Sequence, residues 1–340
     1  HNPALAHAAA AQLHRLADAQ VPGAHPRQWW GLLPLSTQEP AFTPRRRQGQ
    51  EPEKLTVPIS PSRLETIHKS PLDWFVAAAR AEAQTDTSRS LGTLIHAIAE
   101  EYPAADYATL SAVLQERLTT LALPETWEGE ETRRRAEKMI QKLAVYFKEI
   151  MPGDRRTLVG VEGAFKVRVP GEKLDAQISG RVDRLEVTED GRYMIVDLKT
   201  GRTKPAKADI AQHAQLAAYQ VAVEAGAGDT MSRELGTEPA AHPGGAPGGS
   251  DDNVYRAMGR RSAGAALVQL GDGTAPTAKN RPQEQPPLDP DSDEWAVELI
   301  RCAAELIAGA LIQARHRPGE KCRLPEICPL CPQGRQVTQG

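Results

Sequence analysis

Two acids and a lysine carry the plainest chemistry in this chain. Gly180-Arg181-Val182-Asp183-Arg184-Leu185 and Ile195-Val196-Asp197-Leu198-Lys199-Thr200-Gly201 flank the turn residues Glu189-Asp190-Gly191. Asp183 and Asp197 stand seven residues either side of Asp190. A hairpin centred on that turn sets them opposite each other with side chains on one face. Lys199 follows Asp197 by two positions, so strand alternation sends it to the same face. Met194, Ile195 and Val196 precede Asp197, which puts that acid at the exit of a buried strand. Two carboxylates held together repel unless a cation neutralises them. Carboxylate oxygens are hard ligands that suit Mg²⁺ or Mn²⁺. A lysine beside them can hold a phosphate or an attacking water. That is the chemistry of metal-assisted phosphodiester hydrolysis. The plain alternative is a solvated hairpin whose acids happen to face each other.

Two further candidates lie on helices. His96 sits in Gly92-Thr93-Leu94-Ile95-His96-Ala97, with Glu100 one turn further along the same face. A lone histidine on an apolar helix is more often a packed core residue than a ligand. Gln215 and Tyr219 are four apart on a helix that follows Lys199, so they share a face. Either they pack and cap a buried carbonyl, or they point into a cleft at substrate or water. His213 beside them reads as a surface residue.

The elements that must position these residues follow from periodicity. Asn2–Gln20 is Ala-rich and helical, and residues 21–57 read as an extended linker anchored by Trp29 and Trp30. A helix runs from Ser60 through Phe75, with Pro61 in its first turn and Ser62 and Glu65 at capping-box spacing. Helices over residues 91–101, 107–121 and 130–150 come next. Residues 158–169 alternate as a strand before the hairpin. A helix spans 207–224. Residues 225–264 are rich in Gly, Pro and charge and read as a flexible insert. A strand over 265–270, a Pro-rich loop over 271–290 and a helix over 293–315 close the chain. The expected organisation is an N-terminal helix and linker over 1–57 and a nuclease-like domain over 58–340. Helices, then strands, then further helices around one sheet imply an α/β fold with a helical N-terminal part.

Composition narrows the partners. The chain has 340 residues, enough to bury a sizeable core. Its formal net charge is −3, which is not the footprint of a protein that grips nucleic acid by bulk charge. Any such contact must come from a local basic stripe or from a partner that delivers the strand. No apolar run approaches membrane-spanning length and no signal-peptide pattern opens the chain. Four cysteines in a chain this long do not make a secreted disulfide framework, so a cytoplasmic, reducing setting is expected.

Taken in order, Gly-Thr-Leu-Ile-His, Gly-x-x-Asp, Ile-Val-Asp-x-Lys-Thr-Gly and Gln-x-x-x-Tyr over residues 92–219 resemble the RecB-family nuclease domain of the PD-(D/E)XK superfamily. The resemblance implies a restriction-endonuclease-like core, a central mixed sheet flanked by helices. It implies that His96, Asp183 and Asp197 ligate the metal with help from the Leu198 carbonyl. It implies that Lys199 is the catalytic lysine and that Gln215 and Tyr219 complete the site. The flanks, Ser60-Pro-Ser-Arg-Leu-Glu65, Ser70-Pro71-Leu72 and Cys328-Pro-Leu-Cys-Pro-Gln-Gly-Arg-Gln-Val-Thr338, are similar to the C-terminal nuclease modules of AddB- and AdnB-type helicase–nucleases, and most of all to the AdnB subunit of AdnAB.

That likeness implies a DNA endonuclease acting on unwound single strands during double-strand break processing, with a second helicase–nuclease subunit as partner. No Walker A pattern occurs, and the chain opens on His1, so the helicase motor is expected upstream in a longer polypeptide. Many relatives bind a 4Fe-4S cluster, but Ser70 and Gly319 stand at two of the four expected cysteine positions. Cys322, Cys328 and Cys331 then read as remnants, and no cluster is expected. A zinc site with a non-cysteine fourth ligand is a further alternative. From another class, a non-catalytic DNA-guiding or scaffold module stays open, as does a stand-alone nuclease without a motor.

Overall fold

A computed structural model describes residues 3–25, 54–79, 87–238, 261–289, 292–309 and 312. Contacts divide the chain into two units. One comprises residues 1–43, 66–82 and 306–340, the other residues 44–65 and 83–305. The first includes helix α1 (Pro3–Asp18) and helix α3 (Pro71–Ala78). Helix α2 (Pro61–Lys69) stops where Pro71 cannot continue the ladder. Ser70 instead caps α3, its Oγ accepting the Asp73 N–H at 3.4 Å. The single helix expected from Ser60 to Phe75 is therefore two. Pro61 opens the first, so Ser62 lies inside it and not at its cap.

The second unit holds a mixed six-stranded sheet in the order β1-β3-β4-β5-β6, with β2 also pairing β3. The strands are β1 (Thr56–Ile59), β2 (Arg156–Val169), β3 (Asp175–Thr188), β4 (Tyr193–Lys199), β5 (Ser262–Gln269) and β6 (Gln283–Gln285). Strand β1 falls in the stretch expected as linker, and β6 in the stretch expected as loop. Both are short, and each is held by pairing with a longer neighbour, a signal absent from local pattern. Along one edge β3 pairs β2 antiparallel from Ala176 to Thr188. Its other edge is shared. Asp175–Ile178 pairs β1 in parallel, and Arg184–Val187 pairs β4 antiparallel. Residues 179–183 between them face a notch.

Helices α4 (Thr87–Glu101), α5 (Tyr107–Leu118) and α6 (Trp127–Val145) cover one face. Ile95, Leu114, Met139 and Leu143 pack there with Val196, Leu198, Ala266 and Val268 of β4 and β5. Burying this apolar surface is the main stabilising term for the unit. Helix α6 continues through a π turn (Tyr146–Ile150) into the single turn α7 (Met151–Gly153). The stretch expected as one helix over 207–224 is a 3₁₀ turn (Lys207–Gln212), a break at His213 and then α8 (Ala214–Glu224), whose residues are all buried. His213 is no surface residue. It is 7% exposed and caps α8 through Nδ1.

The expected insert over 225–264 is corrected at both ends. Residues Ala227–Glu234 form helix α9, with Met231 and Ser232 fully buried, and β5 begins at Ser262. Polar composition masked α9 because its burial comes from packing on β2, where Met231 lies against Gly163, and on Tyr193, whose hydroxyl meets Asp229 Oδ1 at 3.2 Å and Ser232 Oγ at 3.0 Å. Residues 239–260 lie outside the described residues. So do Trp29, Trp30, Gly319, Cys322, Cys328 and Cys331. The last described helix is α10 (Glu294–Ala308). Among the described residues no helix is long and apolar enough to cross a membrane.

Candidate active site

The hairpin has the expected register. Arg184 pairs with Val196, Leu185 with Ile195 and Val187 with Tyr193, around a turn in which Gly191 takes φ 82°. Only glycine adopts that conformation without strain. Continuing the register brings Asp183 opposite Asp197, but the ladder stops one pair short. In its place Asp183 Oδ2 accepts the Leu198 N–H at 2.6 Å. The strands part at the notch, and a carboxylate holds them where a backbone bond would otherwise run.

Asp197 ends on the buried side of β4 and is 6% exposed. Its Oδ1 accepts from Gln215 Nε2 at 2.7 Å and from the Tyr219 hydroxyl at 3.2 Å. Gln215 Nε2 also donates to Tyr219 at 3.0 Å, while Gln215 Oε1 accepts from Lys199 Nζ at 2.9 Å. Lys199 Nζ lies 2.7 Å from Asp197 Oδ2. That ion pair is the one contact of this buried oxygen among the described residues. Burial pushes the Asp197 carboxyl up; Lys199 opposes the shift and Asp183 adds to it. Burial also pushes Tyr219 up, so it keeps its proton and stays a donor.

His96 reaches the same place from α4, with Nδ1 3.3 Å from Asp183 Oδ1. Asp183 draws the imidazole pKa above its ordinary 6.5, against the effect of burial. Gly92 explains how the helix comes so close. A Cβ there would stand 2.8 Å from Thr200 Oγ1, so the glycine lets α4 pack on the Lys199-Thr200-Gly201 segment. Gly271 lies against the backbone of Thr200 and Gly201. The glycines at 92 and 271 thus serve one loop, while the histidine at 96 reaches Asp183 on β3.

Asp197, Lys199, Gln215 and Tyr219 form one network and His96 with Asp183 a second, and the two meet at the backbone where Asp183 holds the Leu198 N–H between Asp197 and Lys199. Glu100 makes no direct contact with His96. The structure gives the Leu198 N–H a partner in Asp183, and its carbonyl contributes no side-chain contact. As the side chains stand, no three His, Cys, Asp or Glu among the described residues gather close enough to hold a metal ion. The donor chemistry nevertheless fits a hard divalent cation. It comprises two carboxylates, with Asp183 making ionisation of Asp197 costlier, an imidazole, and the buried Asp197 Oδ2, which among the described residues meets only the Lys199 ammonium.

A family model described as the PD-(D/E)XK nuclease superfamily matches residues 58–332. The chain belongs to the PD-(D/E)XK nuclease superfamily. Members are typically metal-dependent nucleases, and the mixed sheet flanked by helices is consistent with that fold. No curated protein matches the chain.

Sequence reasoning passed over two groups, one that the PD-(D/E)XK fold brings to this site and one that anchors the strand behind it. Glu162 on β2 takes φ 52°, a left-handed conformation rare for a strand residue, opposite Asp183 across the β2–β3 ladder. Burial pushes its carboxyl up, and Asp183 and Glu100 add to the shift. Nothing in the local pattern marks it. The second group is Arg184, fully buried on the other face of β3 from Asp183. Its Nε meets Glu186 Oε1 at 3.2 Å, Nη1 donates to the Pro103 carbonyl at 2.8 Å, and its guanidinium lies 4.3 Å from the Phe147 ring centre. Tyr146 donates to Glu186 Oε1 at 2.9 Å. This network anchors β3 one residue from Asp183. Arg184 and Glu186, two apart in an apolar strand, were the available signal.

Proposed function

We propose that this chain is a divalent-metal-dependent DNA nuclease module. It hydrolyses phosphodiester bonds of single strands that a helicase motor unwinds at double-strand breaks. One observation carries the reading: at the notch beside β3, Asp183 holds the Leu198 N–H between Asp197 and Lys199, with His96 against Asp183 and with Gln215 and Tyr219 on Asp197. His96, Asp183 and Asp197 would hold Mg²⁺ or Mn²⁺, with the Leu198 carbonyl as a further oxygen. When bound, the ion supplies Lewis acidity and a water of lowered pKa.

The remaining work falls to the chain's own side chains. Lys199 presents an ammonium to the phosphate oxygens and stabilises the charge that builds on them. Gln215 orients Lys199 and Asp197 at once through the two ends of its amide. Tyr219 donates to Asp197 and fixes its rotamer. The AdnB-like context, the upstream motor, the second subunit and the cytoplasmic setting belong to the same proposal and rest on the flanking motifs. A net charge of −3 suits a module that receives DNA from a partner.

The rival is a non-catalytic DNA-guiding module. It is favoured by the spacing of the side chains as they stand, with no three His, Cys, Asp or Glu among the described residues gathered closely enough to hold a metal ion. Cleavage of single-stranded DNA in Mn²⁺ by the parent and by Asp197→Ala separates the two. The nuclease reading expects cutting by the parent and none by the variant. A parent that binds strands without cutting them supports the guide. Equal rates in both proteins would sink the site assignment.

A further inference from the structure

Two guanidinium groups at the loop that follows Lys199 have no counter-charge among the described residues. Arg135 on α6 donates from Nη2 to the Thr200 carbonyl at 2.7 Å, its one hydrogen bond among the described residues. Its Nε is buried without an acceptor. Arg202, two residues past Thr200, is exposed and makes no hydrogen bond or ion pair with any described residue. Burial and the nearby Arg202 charge together push Arg135 below the usual guanidinium range. No carboxylate among the described residues pairs with either guanidinium.

The chain has acids to spare, 44 against 41 lysines and arginines, so the lack is local. Two turns along α6 the protein does provide a counter-charge, where Lys142 pairs with Asp272. Between them Lys138 donates to the Gly273 carbonyl at 2.7 Å and pairs with no carboxylate among the described residues. Like charges held close are costly unless an anion joins them. Gly92 packs against the Thr200 side chain and Gly271 against the Thr200 and Gly201 carbonyls, so the backbone that leads from Lys199 to Arg202 is closely held. A guanidinium offers paired N–H groups that match phosphate oxygens.

We infer that Arg135 and Arg202 form a phosphate subsite for single-stranded DNA, holding a phosphodiester next to the one presented to Lys199. The inference rests on the nuclease reading and adds to it the direction in which the strand leaves the site, across the Thr200–Arg202 loop toward Lys138. The subsite is built on the protein's own backbone clamp, so it orders the strand without a bulk basic surface.

The test measures binding of a fluorescein-labelled oligodeoxythymidine without divalent ion, at graded salt, and its cleavage in Mn²⁺. Arg202 is exposed and unpartnered, so Arg202→Gln should fold as the parent does. Its affinity should fall about tenfold, and the slope of log affinity against log salt should shrink by about 0.7. Arg202→Lys should recover the slope. Adding Arg135→Gln should weaken binding further, with KM rising more than kcat falls. Unchanged affinity and slope in Arg202→Gln, beside a parent that cuts, would overturn the subsite and leave the nuclease reading standing. A parent that neither binds nor cuts the oligonucleotide would overturn both.

Discussion

Asp183 Oδ2 accepts the Leu198 N–H at 2.6 Å, one step beyond the last ladder pair of the hairpin, Arg184 with Val196. A side chain here does the work of a backbone carbonyl. The strands therefore separate without leaving the Leu198 donor unsatisfied, a loss that burial would make costly. The opening made this way is where Asp197 and Lys199 come together. Asp183 thus has a structural bond on one oxygen and His96 on the other.

Gln215 is the joint between Lys199 and Asp197. Gln215→Ala frees both groups to reorient and should lower single-strand cleavage about a hundredfold, with circular dichroism unchanged. A variant that cuts at the parent rate would show that the amide positions nothing.

His96 should hold its proton to a higher pH in the metal-free protein than an ordinary histidine, because Asp183 stabilises the imidazolium. A folded pKa above the unfolded value adds stability that is complete below about 6.5. That stability is lost as pH rises through the folded pKa. Metal competes with the same proton, so metal binding should strengthen as pH rises. Imidazole NMR titration of metal-free parent and Asp183→Asn checks this. An His96 pKa indifferent to Asp183→Asn counts against the pairing.

Asp272 has the opposite sign. Burial would raise its carboxyl, but hydrogen bonds from Lys142 and Thr274 outweigh it and hold the pKa at about 2. The pair then contributes fully above about 3.9, the unfolded value. Its contribution fades as pH falls toward 2. Asp272→Asn should cost about 2 kcal/mol at neutral pH, because it leaves Lys142 buried without its partner. The gap to the parent should close between pH 4 and 2 in urea melts run at stepped pH. A gap that is constant with pH would disprove the charge pair as its source.

Gly228 on α9 lies where a Cβ would run into the Tyr193 ring. Gly228→Ala should destabilise the unit by about 1–3 kcal/mol, the usual cost of overpacking, as read by thermal melts. Neutrality would mean that α9 is not seated on the sheet as described.

How much of this was legible beforehand depends on how local each signal is. The turn at Gly191, the in-register acids at 183 and 197, the Lys199 offset and the Gln215–Tyr219 spacing are all fixed by short-range geometry. Strand alternation and helix pitch let them be read from the chain alone. The α/β class followed the same way, from the switch of period along the sequence. The contacts between those pieces were not legible. Glu162 needed the β2–β3 register and a left-handed backbone to face Asp183. Helix α9 and strands β1 and β6 are short and polar, or short and extended, and exist because a neighbour buries or pairs them. His213 looked exposed because nothing in its sequence neighbourhood says that the 3₁₀ turn ends there and that the imidazole caps α8. Types and spacing along the chain determined which residues could do chemistry. The notch between β1 and β4, the network through Gln215 and the uncompensated arginines at the loop after Lys199 were decided by packing of segments far apart in sequence, whose free energy no local window contains.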